Sequence, residues 1–123
     1  YKSKCTSCHT PKYVTSKNAK HDFLKFQLIW PYTDLLLHDM GEKLADKDLK
    51  GNITNKEWKT PPLWGIGLAK EVNPRTSFLH DGRANTILEA ILWHGGEAKS
   101  SLKYLIENHS ENLHKLVKFV ESL

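Results

Sequence analysis

The chain has 123 residues, 39% of them hydrophobic and 26% charged, the size and composition of one globular domain. Four residues each of Trp, Tyr and Phe exclude a disordered chain, and no apolar run approaches the ~20 residues that a membrane span needs. The formal charge of +4, from 18 Lys plus Arg against 14 Asp plus Glu, is spread along the chain and does not argue for nucleic acid as a partner.

The first predicted element is a short helix around Cys5-Thr6-Ser7-Cys8-His9, ended by Pro11. These are the only two cysteines, too few for a disulfide scaffold. A redox dithiol normally follows a strand, and four residues leave no room for one. Zinc needs four ligands, usually two separated pairs. There is no second Cys pair, and His109-x4-His114 is the nearest substitute. The C-x-x-C-H spacing is the c-type haem signature: both thiols add to the haem vinyl groups and His9 reaches the iron. A planar apolar macrocycle also accounts for the aromatic load.

Residues 12–20 are polar and Lys-rich, a predicted loop. His21 to Trp30 alternates loosely and reads as a strand or an extended haem wall, broken by Pro31. Leu35-Leu36-Leu37-His38 is a short apolar run ending at Gly41, and 42–57 reads as a polar loop with Gly51. Thr60-Pro61-Pro62 is extended by proline geometry, Leu63 to Leu68 suits one helical turn, and 69–85 is a connection. Thr86-x-x-Glu89 is a capping box that opens a helix through Leu92, with Gly95 as its C′ residue. A further helix is expected at about 99–108. Ser110 is the expected N-cap of a closing helix whose Leu113, Leu116, Val117, Val120 and Leu123 form one apolar stripe. The expected fold is all-α, cytochrome c-like, in one domain over 1–123. A chain that begins at Tyr1, with no leader ahead of the haem motif, reads as a mature product or a domain cut from a longer protein.

The segments DLLLHDMG (34–41), EWKTPPLWGIG (57–67), FLHDGRA (78–84) and AILWHGGEA (90–98), together with CTSCH, resemble the C-terminal haem domain of the di-haem oxidoreductases. That group is related to bacterial di-haem cytochrome c peroxidases. The resemblance runs from Cys5 to the closing LVKFVESL and implies a second haem domain ahead of this one in the full-length protein.

Two residues compete for the second axial position, whose identity sets the chemistry and potential of the iron. Met40 is the only methionine and lies 31 residues after His9; its bland role is a core filler. His94 ends the Thr86 helix, ahead of Gly95-Gly96 and the closing helix. Small cytochromes usually present the distal ligand there, and the family resemblance implies His94 as the ligand, with Met40 the alternative. A His near a helix C-terminus is otherwise simply stabilised by the dipole.

Arg83, in a segment similar to the family's HDGR loop, and Arg75 are the only arginines and are candidate partners of the haem propionates; surface arginines are the alternative. Pro62 and Trp64 are expected along a haem edge, where a proline-region carbonyl holds the proximal histidine's Nδ1–H. His38 and His80 are expected as buried, satisfied histidines, and Trp30, Trp58, Trp64 and Trp93 as core. Asp46-x-Asp48-x-Lys50-Gly51-x5-Glu57 nearly matches a calcium loop, but Lys50 stands where a ligand belongs, so a solvated loop is expected.

The reading is a single covalently attached haem c, a bacterial periplasmic or otherwise extracytoplasmic location, and electron transfer to a redox partner protein or to a second haem domain of the same chain. Peroxidase or other oxidoreductase activity in this chain alone would require an open iron face or a second haem.

Overall fold

The computed structural model describes residues 3–108 and 110–123. His109, half of the alternative zinc pair, and the capping side chain of Ser110 lie outside the described residues.

The fold is mixed, not all-α: 36% of residues are in α- or 3-10-helical turns and 14% in strands. The correction has a physical cause. From Thr10 to Pro62 no apolar spacing recurs with a helical period. Pro11, Pro31, Pro61 and Pro62 also remove donors and restrict their predecessors. The backbone there is satisfied by three two-stranded antiparallel ribbons instead. β1 (Tyr13–Val14) pairs with β2 (Leu28–Ile29). β3 (Leu37–Asp39) pairs with β6 (Glu57–Lys59), His38 opposite Trp58. β4 (Asp46–Lys47) pairs with β5 (Ile53–Asn55). The segment read as a polar loop is therefore a hairpin, turned by Gly51 at φ 85°. The wall expected over 21–30 holds a 3-10 turn, Asp22–Leu24, followed by β2.

Helices occupy the second half. α1 (Ala69–Val72) follows a 3-10 turn at Ile66–Leu68. α2 (Ile87–Leu92) starts where the capping box predicts: Thr86 Oγ1 accepts the Glu89 N–H at 3.0 Å. The reciprocal bond runs from the Asn85 N–H, not that of Thr86, to Glu89 Oε2. Gly95 does not close α2 in the left-handed form; Trp93 is the C-cap. α3 (Lys99–Asn108) and α4 (Ser110–Glu121) complete the chain. The expected stripe of α4 faces inward, with Val120 buried and Leu113, Leu116, Val117 and Leu123 half-buried. Its end rests on the Gly65–Gly67 turn, where a side chain at Gly67 would meet the Glu121 carbonyl oxygen at 1.9 Å and the Gly65 N–H donates to Leu123 O.

Among the described residues the buried core is small: Leu44, Ala45, Ala84, Ile87, Leu105 and Val120, with Pro31, Thr33 and Thr60. Thr33 Oγ1 donates to Thr60 O at 2.7 Å, so both buried hydroxyl-bearing segments are tied together. Of the four tryptophans expected in the core, Trp58 and Trp93 are half-buried, whereas Trp30 and Trp64 are exposed.

Candidate functional site

The CTSCH segment winds into a 3-10 turn, Cys5–Ser7, tightened by bonds from Ser7 N to Lys4 O and from His9 N to Cys5 O, each 2.9 Å. Both cysteines are half-buried free thiols. Burial, then the carboxylates of Asp34 and Glu97, push the Cys8 thiol pKa up.

The turn delivers His9 to a fixed place. Its Nδ1 lies 3.0 Å from the Tyr32 carbonyl oxygen. A carbonyl only accepts, so the ring proton is on Nδ1 and Nε2 keeps its lone pair. His94, just past α2, is held the same way: its Nδ1 lies 2.8 Å from Ala90 O, a helix-end carbonyl otherwise without an intrahelical partner. The two imidazoles, 85 positions apart in sequence, have ring centroids 6.3 Å apart and planes at 44°. A metal–imidazole bond of about 2 Å on each side, with about 1 Å from each ring centre to its nitrogen, spans about the same distance. The centroid separation is thus that of two imidazoles on one metal ion, and each ring has its Nδ1 engaged by backbone and its Nε2 left to ligate. Burial lowers the pKa of both histidines, which favours the neutral, ligating form.

The His94 loop is built by close backbone contact. A Cβ at Gly96, where φ is 49°, would lie 2.0 Å from Asp39 O, and one at Gly95 would lie 2.8 Å from Met40 O. Met40 thus lines the His94 loop through its backbone, and its N–H donates to Lys56 O. Glu97 Oε1 accepts the Asp39 N–H at 3.0 Å.

Other expected site residues fall in different places. The carbonyl holding His9 belongs to Tyr32, after Pro31, and not to Pro62. Pro62 and Trp64 are exposed. Their strap is tied to the Tyr32 segment by bonds from Leu63 N to Pro31 O and from the Trp64 indole N–H to the Trp30 carbonyl. Arg83 bonds Asp81 at 2.6 Å, donates to the Lys43 carbonyl and lies over the Trp93 ring at 5.0 Å, one residue from His94. Arg75 is exposed, and its guanidinium has no ion pair among the described residues.

His38 lies between two carboxylates, Asp34 at 2.7 Å and Glu97 at 2.9 Å. These hydrogen bonds, Glu97's first, raise its pKa. His80 stacks on Trp58 with centroids 3.6 Å apart and bonds Asp46 at 3.2 Å. Both are satisfied as expected, but neither is buried: His38 is half-buried and His80 lies at the surface. Cys8, Asp34 and His38 offer ligand atoms within 4.8 Å of one another, but both His38 nitrogens are already engaged. In the calcium-like loop, Asp48 caps its own hairpin by accepting from Lys50 N, Asn52 N and Asn52 Nδ2, while Asp46 turns to His80.

Sequence reasoning missed Tyr32, Asp34 and Glu97. Pro31 was the available signal for Tyr32. Glu97 lies inside the HGGEA segment, but nothing local says that it reaches His38.

A family model described as "Di-haem oxidoreductase, putative peroxidase" matches residues 1–123. No curated protein and no solved structure matches.

Proposed function

The chain belongs to the di-haem oxidoreductase family, and from that premise we propose that it is a c-type cytochrome domain that relays electrons through one haem held between His9 and His94. Family membership carries haem binding and oxidoreduction with it. The observation that carries the finer reading is the His9–His94 pair, 6.3 Å apart, with each Nδ1–H committed to a backbone carbonyl.

Cys5 and Cys8 attach the group. Each thiol would add across a vinyl double bond, sulfur to one carbon and the thiol hydrogen to the other, so attachment would consume no oxidant. The haem supplies one-electron iron chemistry when bound. The Tyr32 and Ala90 carbonyls orient the two imidazoles and make them more basic ligands. Leu88 and Leu92, exposed and four residues apart on α2, offer an apolar face. With both imidazoles as ligands, a bound haem would have a potential below that of a Met/His pair and would offer peroxide no free coordination position. Arg83, whose guanidinium lies over the Trp93 ring, is the first candidate for a propionate partner and Arg75 the second.

The sequence contains one C-x-x-C-H, so the second haem of the family's name resides in another domain of a longer chain, with this chain as its C-terminal part. Peroxidase activity belongs to that assembly. Its partners are the second haem domain or a redox protein, and its location is extracytoplasmic.

The protein should be coloured, and its haem should survive acid-acetone extraction and give a two-thioether pyridine haemochrome. Replacing Cys5 and Cys8 by Ala should make the haem extractable. A colourless protein from cells that mature c-type cytochromes contradicts the reading.

A further inference from the structure

We propose that Glu97, linked through His38 to Asp34, is a positioning residue that braces the His94 loop against the segment supporting His9, so that the two imidazoles keep their separation. The proposal rests on the reading of His94 as an axial ligand.

The two histidines come from separate elements, and a usable site must hold its ligands to a fraction of an ångström. The support of His9 is the Tyr32 carbonyl. Tyr32 and Leu35 have φ of 51° and 61°, a left-handed geometry that non-glycine residues hold only when their surroundings impose it. Buried Thr33 imposes it: its N–H donates to Thr10 O, its hydroxyl donates to Thr60 O, and its Oγ1 in turn accepts the Leu35 N–H. Asp34 rides on this clamped segment.

From Asp34 a continuous path of hydrogen bonds crosses to the loop that follows the other imidazole, ending at Glu97. Asp34 Oδ2 meets His38 Nε2 at 2.7 Å, and His38 Nδ1 meets Glu97 Oε2 at 2.9 Å. Glu97 Oε1 accepts the Asp39 N–H at 3.0 Å. Glu97 is three residues after His94, beyond Gly95 and Gly96. Glycine has wide backbone freedom, so these two residues cannot fix the loop through side chains of their own. Glu97 does so instead, with both carboxylate oxygens on β3. The path runs past the attachment turn, since Asp34 and His38 have atoms within 4.8 Å of Cys8 Sγ.

The test uses the haem-loaded chain and reads carbon monoxide binding to the ferrous form, which requires the distal ligand to leave. His94→Ala defines the open site and should bind at once, while the native protein should bind slowly. Glu97→Ala should bind roughly tenfold faster than native or more, the scale of one lost charge-assisted hydrogen bond. Glu97→Gln, which keeps one acceptor oxygen for Asp39, should fall between. Glu97 is largely exposed, so these variants should fold. Val120→Ala should lower the melting temperature without changing binding, separating positioning from general loosening. Native binding rates in both Glu97 variants overturn the brace while leaving the ligand reading intact. A His94→Ala protein with the native spectrum and rate overturns the ligand reading, and the brace with it.

Discussion

The single residues that matter most here are satisfied by partners the sequence does not advertise. CTSCH stands out in the sequence because it sits in five contiguous residues. His94 is singled out by its place between a capped helix and two glycines. The Tyr32 carbonyl was not legible, because a backbone oxygen carries no residue identity. The Glu97–His38 contact was hidden because it joins positions 59 apart across a loop. Arg83 illustrates the same point: it was singled out by its rarity, yet its partners, Asp81, the Lys43 carbonyl and the Trp93 face, follow from the fold. The Arg83 hydrogen bond holds the Asp81 carboxyl below the ordinary aspartate range. Because the folded value is lowered, this contribution is present above the unfolded pKa and is lost as pH falls through the folded one. With both side chains about one-third exposed, it is worth under about 1 kcal/mol. Asp81→Asn should therefore differ most from native in stability near neutral pH, and converge with it in strong acid. A difference that grows on acidification contradicts the assignment.

At the scale of elements, the longer helices were readable, whereas the strands and the four-residue α1, inside the segment read as a connection, were not. A capping box and a stripe repeated over three turns mark α2 and α4, and both stand where those signals place them. The strands have two or three residues each, too short for an alternation to register. What distinguishes β4–β5 from a loop is the closure around Gly51 and the acceptance of three N–H bonds by Asp48. The capping of α2 has a measurable consequence. Thr86 Oγ1 serves the Glu89 N–H, and α2 carries His94. Thr86→Ala should cost about 1 kcal/mol, seen as a lower urea midpoint with unchanged slope. A midpoint equal to native would show that Glu89's bond to Asn85 alone caps the helix.

At the scale of the molecule, the fold is mixed rather than all-α, because a C-x-x-C-H motif fixes one short turn and not the architecture around it. Between Thr10 and Pro62 the chain has no helical period, and it wraps as ribbons and straps rather than helices. Those straps position the site: Tyr32 and Asp34 lie on one, Met40 and Asp39 beside another, and the α2–α3 connection brings His94 and Glu97 against them. The helical half and the ribbon half thus each contribute one imidazole. Sequence spacing placed the two candidates without showing that they meet. With one C-x-x-C-H in the chain, the proposed part of this chain is to hold one haem between those two histidines. The most direct test is the combined electron paramagnetic resonance and near-infrared spectrum of the oxidised, haem-loaded protein. The account predicts a low-spin bis-imidazole signature that Met40→Leu leaves unchanged. A sulfur-to-iron charge-transfer band, abolished by Met40→Leu, would contradict it.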